Sequence, residues 1–303
     1  MVAPRDVNDR AATLGPWSYL LVLLAPLALA AVAIGCGIEP AVASLAATAG
    51  FALALIGLER WRPARRTWRG LGPDVPVDAA HLGVGSALVA GLQYAGIRLG
   101  VGVLAGHAGP WPSALPMVLQ IVLALLVIEL GQYLAHRSLH RVAWLWPFHA
   151  VHHSPGRLYW LNAFRAHPVD IVMTVVLPVM PLVLLGAGND VLIGASLVTG
   201  VHALLQHTNV RFDEGALTYV FSSTTLHRWH HDRDLAHSEG NYGSTLIVWD
   251  LVLRTRKVPP GEGPEVVGLA GGERLAERYR AQLAYPFQAL LRRSTATHPG
   301  APP

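Results

Sequence analysis

Apolar residues in this chain come in long unbroken runs, not in the three-and-four spacing of a half-buried helix. Residues 17–38, 41–58, 81–104 and 114–134 each reach or approach the ~20 residues a helix needs to cross ~30 Å of hydrocarbon. Two shorter runs, 169–185 and 191–205, are parted only by Gly186-Ala-Gly-Asn-Asp190 and predict a tight helical hairpin, spanning or re-entrant. The expected fold is all-α: a polytopic membrane helical bundle of four spanning helices plus that hairpin. Polar intervals divide it into a leader (1–16), N-terminal transmembrane helices (17–112), a histidine-rich region (113–256) and a cytoplasmic C-terminal tail (257–303). The tail carries an expected surface helix around residues 273–291.

Composition supports an integral membrane protein, with 52% hydrophobic and 14% charged residues in 303. The first run is too long for a signal-peptide core and follows both acidic and basic residues, so it reads as retained. One cysteine, Cys36, excludes an internal disulfide and a thiolate metal site. The net charge of +4 comes from arginine, since Lys257 is the sole lysine. No basic stripe suited to nucleic acid forms, because the arginines flank membrane runs. Arg60, Arg62, Arg65, Arg66 and Arg69 follow the second run, and Arg137, Arg141, Arg157 and Arg165 the fourth. Arg228, Arg233, Arg254 and Arg256 follow the hairpin, while the loops 37–40, 106–113 and 186–190 have no Lys or Arg. The positive-inside rule then places both termini and all histidine runs in the cytoplasm. Arginine-for-lysine usage suggests a bacterial inner membrane. Trp61 and Trp68, in an arginine-rich stretch, are expected at headgroup depth.

Twelve of fifteen histidines fall between positions 136 and 237. Three runs stand out: His136-Arg-Ser-Leu-His140, His149-Ala-Val-His152-His153 and His227-Arg-Trp-His230-His231. Spacings of three and four put two or three imidazoles on one helix face. Their eight rings exceed the needs of one tetrahedral ion, which argues for a pair of metal ions held by nitrogen. Pro147 is placed to open the helix of the second run, and Ser222-Ser-Thr-Thr225 supplies capping hydroxyls for the third. His81, His107 and His298 stand alone and read as structural. A zinc hydrolase motif of the HExxH kind is absent, as is a one-carboxylate facial triad. An all-nitrogen dinuclear site at a membrane surface suits oxygen activation at iron and attack on a lipid C–H bond. The electrons come from outside, since no flavin, nicotinamide or haem motif is present.

The order HRxxH, FHxxHHS (from Phe148), Asn162-Ala-Phe-Arg-Ala-His-Pro168, His207-Thr-Asn209, HRxxHH, Asn241-Tyr-Gly243 and Trp249-Asp250 resembles the fatty acid hydroxylase superfamily, which includes the sterol desaturases. The resemblance spans about residues 115–256. It implies two non-haem iron ions ligated by His136, His140, His149, His152, His153, His227, His230 and His231, with His207 as a further ligand and no catalytic residue apart from the ligands. His202 is open between ligand, ligand support and core. His167 is read as capping or orienting a ligand helix, and His237 is open between surface residue, ligand support and extra ligand. Asn241 and Asp250 either orient ligands or make a turn or helix cap. The implied activity is hydroxylation or desaturation of a lipid with O2 and an electron-transfer protein (cytochrome b5-like, ferredoxin or reductase). One departure is clear: the family commonly reads Trp-Asp-x-x-Phe-Gly-Thr, where this chain has Trp249-Asp-Leu-Val-Leu-Arg-Thr255. Other readings are a histidine-bound metal carrier without C–H chemistry, whose ligands would lie within the spans, and a zinc-dependent membrane hydrolase using Glu129 or Asp170. A degenerate member with structural histidines is a further one.

Overall fold

A computed structural model describes residues 13–15, 17–103, 109–261 and 263–295; His107 and His298 lie outside them. The long apolar runs fold as α1 (Ser18–Gly35), α2 (Pro40–Trp61), α3 (Val75–Val103) and α4 (Met117–Arg141). Glu39 starts α2 by accepting from Val42 N at 2.9 Å, with Pro40 in the first turn, where its missing N–H is no loss. The short α5 (Trp146–His153) follows, with Pro147 in its first turn as expected. The hairpin's first arm starts as α6 (Pro168–Ile171), widens into a π turn (Val172–Val176), tightens through Leu177–Val179 and ends as α7 (Met180–Leu185). Pro178 and Pro181 have no N–H for the helical ladder, which accounts for the broken register. The second arm is α8 (Asn189–His207). Short helices α9 (Thr224–His230), α10 (Leu235–Ser238) and α11 (Val248–Val252) come next, then α12 (Tyr279–Thr295). Among the described residues there are isolated β-bridges, such as Leu14 with Phe212, and no strand.

Five helical stretches among the described residues are long and apolar enough to cross a membrane: α1, α2, Val75–Leu92 of α3, α4 and the arm Pro168–Leu185. The fold is an all-α polytopic membrane bundle. Leu21 (68% exposed) on α1 and Leu45 (73%) on α2 face outward, as lipid-facing leucines do. Inward, Tyr19, Leu23, Phe51 and Leu55 pack against Val201, Leu204 and Leu205 of α8. Ala124 and Ile128 of α4 pack against Leu182, Val183, Val191 and Ala195 of the hairpin. Gly131 permits that approach, since a Cβ there would stand 2.9 Å from Pro178 Cβ.

Two expectations change. Trp61 is exposed, but Trp68 is buried against Leu158 and Val267 and presents no outward anchoring face. Arg157 draws its loop inward by bonding Asp74 through both Nε and Nη2, together with the carbonyls of Trp68 and Gly70. The segment after residue 256 is docked and not merely superficial. Leu269 and Leu275 pack on Ala150 and Val151 of α5, and α12 begins at Tyr279 with Gln282 fully buried beside His81. That segment packs on α5 and also touches α3 through His81.

Candidate metal centre

Four elements deliver the histidines to one place. α4 contributes His136 and His140, α5 His149, His152 and His153, and α8 ends on His207. α9 contributes His227 and His230, with His231 one residue beyond. The nine named above fall into two groups, in each of which one ligand atom per residue lies within 4.8 Å of all the others: His136, His140, His149, His153 and His230; and His152, His207, His227 and His231. α5 and α9 feed both groups, and the rings of His153 and His231 stack at 4.3 Å where the groups meet.

Hydrogen bonds settle which nitrogen is bare. Nδ1 of His136 meets Tyr242 O at 2.8 Å, that of His149 the Asp170 carboxylate at 2.8 Å and that of His152 Arg165 O at 3.1 Å. Those of His207 and His230 meet Ala203 O at 2.9 Å and Gly240 O at 2.7 Å. Carbonyl and carboxylate oxygens only accept, so these rings carry their proton on Nδ1 and turn a lone pair inward at Nε2. His152 and His207 therefore face each other, lone pair to lone pair, with Nε2 atoms 3.4 Å apart. The Nε2 atoms of His136, His140 and His230 are buried with no hydrogen-bond partner among the described residues. Facing lone pairs and orphaned acceptors are costly without a cation between them. Nitrogens about 2.1 Å from one ion stand ~3.0 Å apart at a right angle and ~3.4 Å apart at a tetrahedral angle, a range that takes in the 3.0 Å between His227 and His207 Nε2 and the 3.1 Å between His231 and His227 Nε2.

Protonation does not compete. Burial pushes His149 and His152 down to about 3, and drives His153, His227, His230 and His231 well below the ordinary imidazole range, with neighbouring imidazoles adding to it. At neutral pH these rings are uncharged and ready to ligate. The donor set is all nitrogen, suited to iron, copper or zinc.

The supporting carboxylates were only partly legible. Asp170, at the start of the hairpin, holds His149, and only its position in the fold reveals this. Asp250 accepts from Tyr242 N at 2.9 Å and Gly243 N at 2.7 Å, fixing the turn whose Tyr242 carbonyl orients His136. Glu129 takes the next three amides, Ser244 N, Thr245 N and Leu246 N. Asn241, at φ 55°, bonds Leu226 O and exchanges bonds with Lys257, tying α9 to the segment after α11. α9 is capped by Glu214, which accepts from Thr225 N at 3.2 Å, and not by the expected serine hydroxyls; Ser223 instead donates to Glu214 at 2.6 Å.

The remaining described histidines lie outside both groups. His167 caps α6 by accepting from Val169 N at 3.1 Å. His202 bonds Tyr19 Oη at 2.9 Å and Ser244 O at 3.1 Å. His237 is half-buried and bonds Asp232 at 2.7 Å, and His81 bridges Ala166 O and Gln282.

The Leu253-Arg254 departure falls on the C-terminal turn of α11. Thr255 N reaches back to Asp250 O at 2.8 Å and Arg254 N to Leu251 O at 3.4 Å, which requires residue 254 in the left-handed region. Arg254 adopts φ 58° there, where glycine is free of strain. Its side chain is exposed, so Arg254→Gly is expected to raise stability by ~1 kcal/mol, read as a higher midpoint in thermal unfolding in detergent. An unchanged or lower midpoint would show that the turn carries no strain.

Fold and site together define a membrane protein with a buried polyhistidine centre suited to holding metal. Residues 121–255 match the fatty acid hydroxylase family. The chain is 39% identical to the ornithine lipid hydroxylase OlsE of Rhizobium tropici, over 78% of this chain and 73% of that one. It is 30% identical to an alkylglycerol monooxygenase of Danio rerio, over 48% of this chain and 31% of that one, and 26% identical to a methylsterol monooxygenase of Aspergillus fumigatus, over 50% and 52%. The match thus spans under a third of the alkylglycerol monooxygenase and about half of the methylsterol monooxygenase. No solved structure matches. This chain belongs to the fatty acid hydroxylase family, as a membrane oxidoreductase of the lipid hydroxylase class.

Proposed function

We propose that the chain is an O2-dependent diiron enzyme that hydroxylates a membrane lipid, R–H + O2 + 2e⁻ + 2H⁺ giving R–OH + H2O. The observation that carries this reading is the convergence of nine imidazoles, five of them obliged by their Nδ1 partners to turn a bare Nε2 inward. His136, His140, His149, His153 and His230 would hold one ion, and His152, His207, His227 and His231 the other. Iron bound there supplies the oxidising power for an unactivated C–H bond. The chain's own part is to keep the ligands neutral, to exclude water by burial, and to fix ring orientation through Asp170, Tyr242 O, Arg165 O, Ala203 O and Gly240 O. The apolar faces of α4 and the hairpin shelter the lipid chain.

The relatives' names favour hydroxylation over desaturation, and ornithine lipid as the first substrate to try. The arginine distribution supports a cytoplasmic site, within reach of a cytochrome b5-like protein, ferredoxin or reductase, in a bacterial inner membrane. The two carboxylates a zinc hydrolase would use as base are engaged, Glu129 by three backbone amides and Asp170 by His149. Metal content of detergent-purified protein grown with iron and zinc both supplied is expected to give about two irons per chain, one per nitrogen group. Ornithine lipid incubated with that protein, O2 and a reductase system should gain one oxygen atom. Zinc persisting in protein whose activity survives iron depletion would end the oxygenase reading.

A further inference from the structure

We infer that the side-chain oxygen of Gln132 is a substrate-recognition group that accepts a hydrogen bond from an amide N–H or hydroxyl of the lipid. The inference rests on the lipid hydroxylase reading and adds where specificity is set. Gln132 lies four residues before His136, on the same face of α4 and one turn deeper into the apolar bundle. Its amide is held from one side only. Nε2 donates to Thr174 O at 3.1 Å, while Oε1 is buried with no hydrogen-bond partner among the described residues.

The anchor is a consequence of sequence. Pro178, four residues after Thr174, has no N–H to offer that carbonyl, and the local backbone is the π turn Val172–Val176. A π turn inside a longer helix frequently marks a functional site. Exchanging the amide's oxygen and nitrogen would set Oε1 against Thr174 O, two acceptors facing each other, so the orientation is fixed. Gln132 is also wired to the metal centre. Thr174 Oγ1 donates to Asp170 O at 2.9 Å and lies 3.3 Å from Asp170 Oδ1, and the other carboxylate oxygen of Asp170 accepts from His149 Nδ1. An orphaned acceptor, rigidly held in an apolar bundle beside the oxidising centre, is matched by a donor on the ligand. An acyl chain alone has none, whereas a lipid with an amide or hydroxyl near the reacting carbon does.

The test compares kcat/KM for two matched pairs of lipids. One is an N-acyl amino-acid lipid and its ester isostere, with oxygen in place of the amide N–H; the other is the same amide lipid with and without a hydroxyl on its acyl chain. Wild-type protein is expected to favour the donor-bearing member of one pair by about 10- to 100-fold, and the pair that responds identifies the donor. Gln132→Met, nearly isosteric and without the acceptor, is expected to bring that ratio close to one while iron content stays at the wild-type value. If the methionine variant takes up no iron, Gln132→Asn, which withdraws the amide by one methylene, is expected to lower the ratio. A wild-type ratio near one in both pairs overturns the inference, as does an iron-loaded variant that keeps the wild-type ratio. Turnover of none of these lipids by wild-type protein would instead count against lipid hydroxylation itself.

Discussion

Protein carrying His152→Ala is expected to purify with about one iron per chain where the parent holds about two, and to hydroxylate no lipid. His152 belongs to the group of four, so its loss leaves His207, His227 and His231, too few to retain the ion against chelator. His230→Ala leaves four of five nitrogens in the other group, so its expected signature differs: partial iron retention with turnover still abolished. Stability separates these outcomes from simple misfolding. A ligand that binds only the folded state at 1,000 times its Kd adds ~4 kcal/mol, so chelation should lower the unfolding midpoint of wild-type protein sharply. The drop should be smaller for His152→Ala. If either variant keeps full iron content and turnover, that histidine is not a ligand.

How far the sequence speaks depends on the range of the interaction. Helices α1 to α4 are legible because uninterrupted apolar runs leave the backbone no other way to satisfy its polar groups in lipid. The histidine runs are legible because positions three and four apart share a helix face, a local property. Pro178 and Pro181 mark the break in the hairpin's first arm locally, but the close packing of that break on α4 at Gly131 is a long-range contact the sequence does not show. Asp170 reads from sequence only as a candidate hydrolase base, since nothing local shows it standing 2.8 Å from a histidine 21 residues earlier. Trp68 is buried, not outward-facing, for a related reason. Tryptophan beside arginine is the pattern of an interfacial anchor, yet Leu158 and Val267, brought in from distant segments, bury it. Asp250 shows the intermediate case: the Trp-Asp pair is visible in the sequence, but its hold on the Tyr242 turn, and so on His136, appears only when the two segments meet.

The histidines set the donor count, and the partners behind them set how well each ring donates, so the most informative single change away from the ligands is at Asp170. With the carboxylate in place, His149 carries its proton on Nδ1 and turns an electron-rich Nε2 toward His153, 3.2 Å away. Asp170→Asn keeps an oxygen acceptor of the same shape but removes the charge, so the ring stays oriented and becomes a weaker base. Iron affinity and turnover are expected to fall ~10- to 100-fold, the usual range for losing such a partner. Asp170→Ala goes further. It leaves Nδ1 without an acceptor, and His149 can then move its proton to Nε2 and donate to His153, closing the inward lone pair with a hydrogen bond. The ordering wild type, then Asn, then Ala should therefore hold for iron affinity measured by chelator competition as well as for turnover. A carboxylate that merely helped start the hairpin helix would give another result: a lowered unfolding midpoint in both variants, with iron affinity and turnover per bound iron unchanged. That outcome would remove Asp170 from the metal centre and leave His149 oriented by packing alone.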